Sequence, residues 1–544
     1  MNHWSMFDAV ARALPERTAL AWRGDRTNYG ELHERTLRLA DVFLTQGLGS
    51  VMPRSELAGW ESGQDHIGLY LHNGPEYLEA TFAANAARAV PFNINYRYVE
   101  HELEYLLNDA NTAALVYHSA FAPTLAVVLP KLNRQPLLLQ VPDDSGHPLL
   151  EGALDYETAV SGATPADVGE GHDPDDLYIL YTGGTTGMPK GTLWRQSDIF
   201  DAVLVAFSPS LGARSTSKAE HAAAAAEITP NICLPLPPFM HGAAQWMAIG
   251  ALMGGQTVVI QDVVTTLDPA DVWRTIEREQ VAAMIIVGDA FARPLCDELE
   301  KGGYSPASLA MVITGGATTS PTMKQRFIGL LPSLFIADAV GSSETGSQLN
   351  NLATSGGEPT TTFSVVPGTC VVDETMTYVL EEGHEGIGWL AKSGAIPLGY
   401  LGDEEKTKRT FPVVAGQRMV VPGDRARLLE GGLVELLGRE SVTINSGGEK
   451  IFAEEVEQAI VRHQGVDDVL VVGRPNERWG QEIVAVLQLQ DGASPSDKEI
   501  LALAGERIAS YKLPKLIVRV GKVERSPSGK PDYAWARQVA IDAG

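Results

Sequence analysis

The segment YTGGTTGMPKG, residues 181 to 191, directly follows the apolar run LYIL. Gly183 and Gly184 leave the backbone bare, the hydroxyls of Thr182, Thr185 and Thr186 add donors, and Lys190 adds a positive charge. Exposed amides, hydroxyls and an ammonium together make a nest for an anionic polyphosphate. The loop is not of the Walker type, because Lys190 follows Pro189 and precedes Gly191, so GxxxxGK[ST] is absent. A Gly/Thr-rich turn after a strand is the plain alternative. Further on, His241 stands between Met240 and Gly242, Glu344 within GSSETG, Asp424 after Gly423 and Lys530 after Gly529. Taken singly, these read as a core histidine, a surface carboxylate, a turn residue and a solvated lysine.

Elements able to position such residues are legible around them. From Asp65 onward, the runs HIGLYL, AALVYH, PLLLQV, LYILYT, TVVIQ, AAMIIVG, LAMVITGG and LFIADAVG read as buried strands, with PEYLEATFAANAA and DPADVWRTIEREQ as helices between them. That alternation predicts an α/β fold with largely parallel sheets. The small, Ala-rich stretch 209–228 reads as an insertion or mobile loop. Near residue 423 the texture changes. RARLLEGGLVELLG predicts a hairpin turning at Gly431 and Gly432, and AEEVEQAIVRH predicts a helix with Val456, Ile460 and His463 on one face. Strands DVLVVG, EIVAVLQL and LIVRV with a helix DKEILALAGERIA complete a small α+β module. The expected division is a large domain over 1–438 and a small C-terminal domain over 439–544, with a hinge near Gly438.

A chain of 544 residues is too long for one ordinary core. Its 42 basic and 68 acidic residues give a net charge of -26, which argues against nucleic acid or an anionic membrane as partner. The three cysteines, Cys233, Cys296 and Cys370, are far apart and suggest neither disulfide nor zinc site. The N-terminal residues lack a basic start followed by an apolar stretch, and no window resembles a membrane span, so the cytoplasm is the expected compartment.

YTGGTTGMPKG resembles the signature loop of the adenylate-forming superfamily, which comprises acyl-CoA synthetases, stand-alone adenylation domains and luciferases. The family's other segments follow in order: NYGELHERTLRLA, NGPEYLEATFAANAARAVPFNINYRYVEHELEYLL, PLPPFMHGAAQW, GSSETG, VPGDRARL, ELLGRESVTINSGGEKIFAEEVE and ERSPSGKPDY. The ordered set overturns the plain readings of its members. It implies that a carboxylate attacks the α-phosphate of ATP and expels pyrophosphate, chemistry governed by positioning and charge stabilisation. By this resemblance the 182–190 loop, with Thr185 among its catalytic residues, holds the departing phosphates, and Glu344 ligates Mg²⁺. Asp424 takes the ribose hydroxyls with Arg439 nearby, and Lys530 bridges phosphate and carboxylate oxygens. Gly315, Gly316 and Ala317, together with Asp338, Ala339, Val340, Gly341 and Ser343, line the nucleotide.

The resemblance further implies an acid pocket at His241, Trp246, Gly288 and Gly315, in which His241 steers the carboxylate. It is not expected to act as a base, since the attacking carboxylate is already ionised at neutral pH. GGEKIFAEEVE resembles the coenzyme A ligase version of its motif, with Gly447 and Gly448 lining the thiol tunnel and Lys450 meeting the nucleotide. Small residues Gly242, Ala243, Ala244 and Ala290 beside apolar Val287 and Phe291 suit a bulky or long hydrophobic acid better than an amino acid. The wording is similar to that of actinobacterial fatty-acid and steroid-side-chain CoA ligases. A carrier protein or another acceptor is the alternative to coenzyme A, and a homodimer is one option for the assembly. Two positions depart from the family pattern: Val340 stands where an adenine-stacking tyrosine is common, and Ser441 where an Asp or Lys pivot is common.

Overall fold

The apolar runs of the sequence fold as strands, namely His66–Tyr70, Ala114–His118, Leu137–Val141, Leu177–Thr182, Thr257–Ile260, Ala283–Ile286, Met311–Gly315 and Phe335–Ser342. They were obtained from a computed structural model that describes residues 1–169, 171–182, 188–207, 217–317, 319–354, 362–384, 386–439, 442–446, 449–476, 480–508, 510–525 and 530–543, with backbone alone at 439, 445, 449, 450 and 480. The architecture is the expected α/β.

Among the described residues the first sheet has eight strands. Six are parallel, running from Leu177–Thr182 through Val90–Asn93, His66–Tyr70, Ala114–His118 and Leu137–Val141 to Leu154–Asp155. Beyond Leu177–Thr182 the direction reverses, with Lys190–Arg195 and Gly399–Tyr400 added antiparallel. His66–Tyr70 and Ala114–His118 are buried along their whole length, which is why their sequences read as continuous apolar runs rather than alternating ones. Helices cover both faces, among them Tyr29–Thr45, whose start is fixed by a capping box between Asn28 and Glu31.

Among the described residues the second sheet has fifteen strands. Its parallel half runs Thr18–Trp22, Thr257–Ile260, Ile232–Pro235, Ala283–Ile286, Met311–Gly315, Phe335–Ser342. An antiparallel half then continues through Gly346–Ala353 and Thr362–Val365 to the hairpin Asp424–Leu428/Leu433–Arg439. The hairpin turns where expected, with Gly431 and Gly432 at φ 75° and 71°. Residues from 442 onward form a separate five-stranded sheet centred on Val466–Asn476 and Gly480–Leu489, with its own two apolar clusters.

Two expectations are corrected. Of the stretch read as a mobile loop, 218–227 is a helix, Lys218–Glu227, capped by Ser217 and packed with His221 and Ala225 buried; 209–216 lies outside the described residues. Its alanines are good helix formers, and the Ser–x–x–Glu start is a cap. The helix Ala453–Ile460 stops before His463, whose carbonyl instead takes the Val466 N–H in the following turn. Among the described residues no helix is long and apolar enough to cross a membrane. Cys233 and Cys296 are buried thiols pushed up to about 12 by burial, and Cys370 is half-buried.

Candidate active site

In the parallel half of the large sheet, the loops leaving neighbouring strands emerge on one edge, the usual place for a ligand in an open α/β sheet. Ile232–Pro235 leads to His241, Ala283–Ile286 to Gly288, Met311–Gly315 to Gly316 and Ala317, and Phe335–Ser342 to the turn bearing Ser343 and Glu344. Strand pairing therefore brings together segments far apart in sequence. Gly315 lies opposite Ala339, so close that a Cβ on it would stand 2.9 Å from the Ala339 carbonyl oxygen. Gly316, at φ 78°, has among the described residues only Val287 near its Cβ direction.

His241 is the N-cap of the helix Gly242–Met253. Its Nε2 is buried, without a hydrogen-bond partner among the described residues. Burial, reinforced by the charges of Lys530 and Arg97, pushes its pKa down to about 3, so the ring is neutral at working pH. A neutral imidazole with an open ring nitrogen can hydrogen-bond an incoming polar group but carries no charge to offer it. Trp246 lies one turn on, its ring 3.1 Å from where a Cβ on Gly242 would stand. Lys530, though exposed itself, is thus brought to the His241 side of the large domain.

The phosphate-loop candidates Gly183, Gly184, Thr185 and Thr186 lie outside the described residues, but the two ends of the loop are fixed. Thr182 faces Lys190 across an antiparallel hairpin. The Lys190 ammonium is 3.0 Å from Asp403. Burial works against its charge, but Asp403, Tyr105 and Asp109 outweigh it and raise the pKa, so this lysine stays cationic. Asn93 holds the hairpin to the His241 loop. Its Nδ2 donates to the carbonyls of Tyr181 (2.8 Å) and Met240 (2.7 Å), and its Oδ1 accepts from the Tyr181 N–H at 2.8 Å.

Glu344 sits in a tight turn. A Cβ on Gly341 would meet the Gly346 carbonyl at 1.9 Å, so the turn closes only around glycine. The Ser343 carbonyl accepts from Trp194 Nε1 at 2.8 Å, tying the turn to the strand after Lys190. Glu344 Oε1 accepts from the Tyr400 hydroxyl at 2.9 Å, and the Lys406 ammonium stands 4.1 Å from the Tyr400 ring centroid. Behind the turn, Lys392 Nζ donates to the carbonyls of Thr345 (2.9 Å) and Ser347 (2.6 Å). Lys392 belongs to the strand Ile387–Ser393, which pairs with Asp424–Leu428, so Asp424 is carried on the same scaffold. Asp424 faces Arg439 across its hairpin. The side chains of Arg439 and Lys450, and all of Gly447, Gly448 and Ser441, lie outside the described residues.

Two nucleotide-lining candidates have side chains engaged within the protein. The Asp338 carboxylate is buried against Lys324, which leaves only its backbone to meet a ligand. Val340 packs against an apolar cluster that includes Leu349 and Leu390, so its side chain is committed to the sheet. Sequence reasoning missed Asn93, Lys392, Tyr400, Asp403 and Lys406. Asn93 ends an apolar run, VPFN, that gives no local sign of a role, and Asp403 reads as what it also is, the N-cap of the helix Glu404–Thr410.

Among the described residues no cluster of three or more His, Cys, Asp or Glu could hold a metal by itself. A lone hard carboxylate such as Glu344 fits Mg²⁺, which commonly takes one or two protein oxygens plus phosphates.

Glycine-lined strand ends, a cationic loop hairpin and a lysine delivered from a second module define a nucleotide-dependent enzyme with a small accessory domain. The chain belongs to the AMP-binding enzyme family: the profile for AMP-binding enzymes matches residues 7–401 and that for the AMP-binding enzyme C-terminal domain matches residues 455–530. It is 52% identical to the medium-chain acyl-CoA ligase Mig of Mycobacterium avium over 98% of this chain and 97% of that one. It is 38% identical to the 3-oxocholest-4-en-26-oate–CoA ligase of Rhodococcus rhodochrous, over 99% and 95% of the two chains. ATP-bound MatB from Rhodopseudomonas palustris shares the fold, with a TM-score of 0.80 over 100% of both chains at 22% identity.

Proposed function

We propose that this AMP-forming acyl-CoA ligase activates medium-chain and longer hydrophobic carboxylic acids, with ATP and Mg²⁺ in the first step and coenzyme A as acceptor in the second. The observation that carries the reading is the buried, neutral His241 beside a helix start of small residues, within electrostatic reach of Lys530. The 52% identity to a medium-chain ligase supports the acid class.

In the first step an oxygen of the acid carboxylate bonds to the α-phosphorus of ATP, and the bond to the β-phosphate oxygen breaks, releasing pyrophosphate. His241 orients the carboxylate through its open ring nitrogen, and Lys530 offsets the charge that builds between carboxylate and phosphate. Lys190 and the 182–186 loop hold the leaving phosphates. Bound Mg²⁺ would be held by Glu344 and would neutralise phosphate charge. Gly315, Gly316 and Ala317 and the backbone of 338–341 flank the base, and Asp424 with Arg439 takes the ribose. In the second step the coenzyme A sulfur bonds to the acyl carbon and AMP departs, with Gly447 and Gly448 beside the thiol's path and Lys450 near the nucleotide. The working division is 1–438 for ATP and acid and 439–544 for Lys530 and the thiol-facing loop.

A panel of straight-chain, ring-bearing and amino acids assayed for both AMP and thioester tests this reading. Activity expected is highest on medium-chain fatty acids, with thioester matching AMP. AMP release without thioester would reject coenzyme A as acceptor, and preference for a charged amino acid would reject the pocket assignment.

A further inference from the structure

An ion pair joins the small module to the large one, on the helix that starts at the acid pocket. Arg293 is on Gly288–Glu300, just over one turn after Gly288. Its guanidinium reaches Asp467 of the strand Val466–Asn476, with Nη1 2.6 Å from Asp467 Oδ1 and Nη2 donating to the Asp467 carbonyl at 2.9 Å. With side chains only 28% and 16% exposed, this pair is shielded more than an ordinary surface ion pair. Asp467 is held from within its own domain too, since its Oδ2 accepts from Gln488 Nε2 at 2.7 Å.

From Asp467 two routes lead to the segment that carries Lys530. Gln488 Oε1 accepts from the Val523 N–H at 3.0 Å. The next residue along the strand, Asp468, holds Arg525 in a two-pronged pair, with both N–O distances 2.7 Å. Arg525 in turn bridges by its backbone to Pro531, the residue next to Lys530. Asp289, on the first turn of the pocket helix and buried against the Ser320 N–H, lies within electrostatic range of Arg293, Asp468 and Arg525.

We propose that Arg293 and Asp467 form a positioning pair that seats the small domain for adenylation, registering Lys530 against the same helix that walls the acid pocket. Neither residue touches substrate. Their action is to raise the fraction of molecules in which Lys530 stands beside His241. The proposal rests on Lys530 acting in adenylation, as argued above, and a population argument then predicts a step-specific defect.

The experiment uses the full-length enzyme and four variants: Arg293→Ala, Asp467→Ala, the reversed pair Arg293→Asp with Asp467→Arg, and Lys530→Ala. Each is assayed for pyrophosphate release from ATP and acid, and separately for thioester formation from supplied acyl-AMP and coenzyme A. Expected are losses of about 10-fold in adenylation kcat for each single change, with thioester formation kept or faster and the reversed pair recovering most of the loss. Retained thioester formation also reports that the variants are folded. Equal loss in both steps, no loss in adenylation, or failure of the reversed pair to recover would each overturn the positioning role. If Lys530→Ala itself spares adenylation, the assignment of Lys530 is overturned and the pair loses its purpose with it. If Lys530→Ala is slow while Arg293→Ala is not, only the pair is refuted.

Discussion

Asn93→Leu offers the sharpest test of how the phosphate loop is aimed. The strand Val90–Asn93 is registered with Leu177–Thr182 only at Phe92 and Ile179, so the ladder beside the loop is short. The Asn93 side chain extends it, accepting from Tyr181 N–H and donating to the carbonyls of Tyr181 and Met240. Leucine keeps the branched skeleton of asparagine, with bulkier methyl groups, but makes none of these bonds, and the site is buried, with Asn93 only 3% exposed. Three buried backbone groups would lose their partner. At about 1 kcal/mol each, the low end for an orphaned buried group, the loss is about 3 kcal/mol. Part of that loss would be relieved by movement of residues 181 and 240, the two ends that carry the phosphate loop and His241. A shift of about 1 Å there is enough to cost on the order of 100-fold in adenylation kcat/KM. The assay is pyrophosphate release at saturating acid with ATP varied, run well below the unfolding temperature, beside a thermal melt. A melt lowered by several degrees with kcat/KM held within about 3-fold would show that Asn93 stabilises without aiming the loop. An unchanged melt would show that the three bonds contribute nothing, and the reasoning would fall.

Tyr400→Phe should raise KM for ATP by about 10-fold with little change in the fold, because it removes one hydrogen bond to a charged carboxylate, Glu344; a KM within experimental error of the parent would remove Tyr400 from the site. Burial lowers the Lys392 pKa from 10.5 to about 8. Between those values the unfolded chain binds more protons than the folded one, so this group alone makes stability rise with pH across that window, while its charge-assisted bonds to Thr345 and Ser347 weaken above pH 8. KM for ATP should therefore climb above pH 8 in the parent enzyme and stay level in Lys392→Met; parallel profiles would refute the link.

The amino-acid sequence by itself determined the class of chemistry and the main architecture. Buried parallel strands must be apolar on both faces, so runs such as HIGLYL and AALVYH announce themselves, and a polyphosphate loop needs glycines, hydroxyls and a lysine in close succession. Those signals are local. Only the tertiary structure decided which side chains face the site and which are spent elsewhere. The sequence does not show that Lys324 holds the Asp338 carboxylate or that Val340 packs against the sheet's apolar cluster. Asn93, Lys392 and Tyr400 became visible as supports only when strand pairing brought positions 93, 181 and 240, or 344 and 400, to hydrogen-bond distance. The Ala-rich stretch beginning at Lys218 shows the converse, for its helix gains its place by burying His221 and Ala225 against the large domain. Positioning is a property of pairs separated by hundreds of residues, and no local pattern encodes a partner that far away.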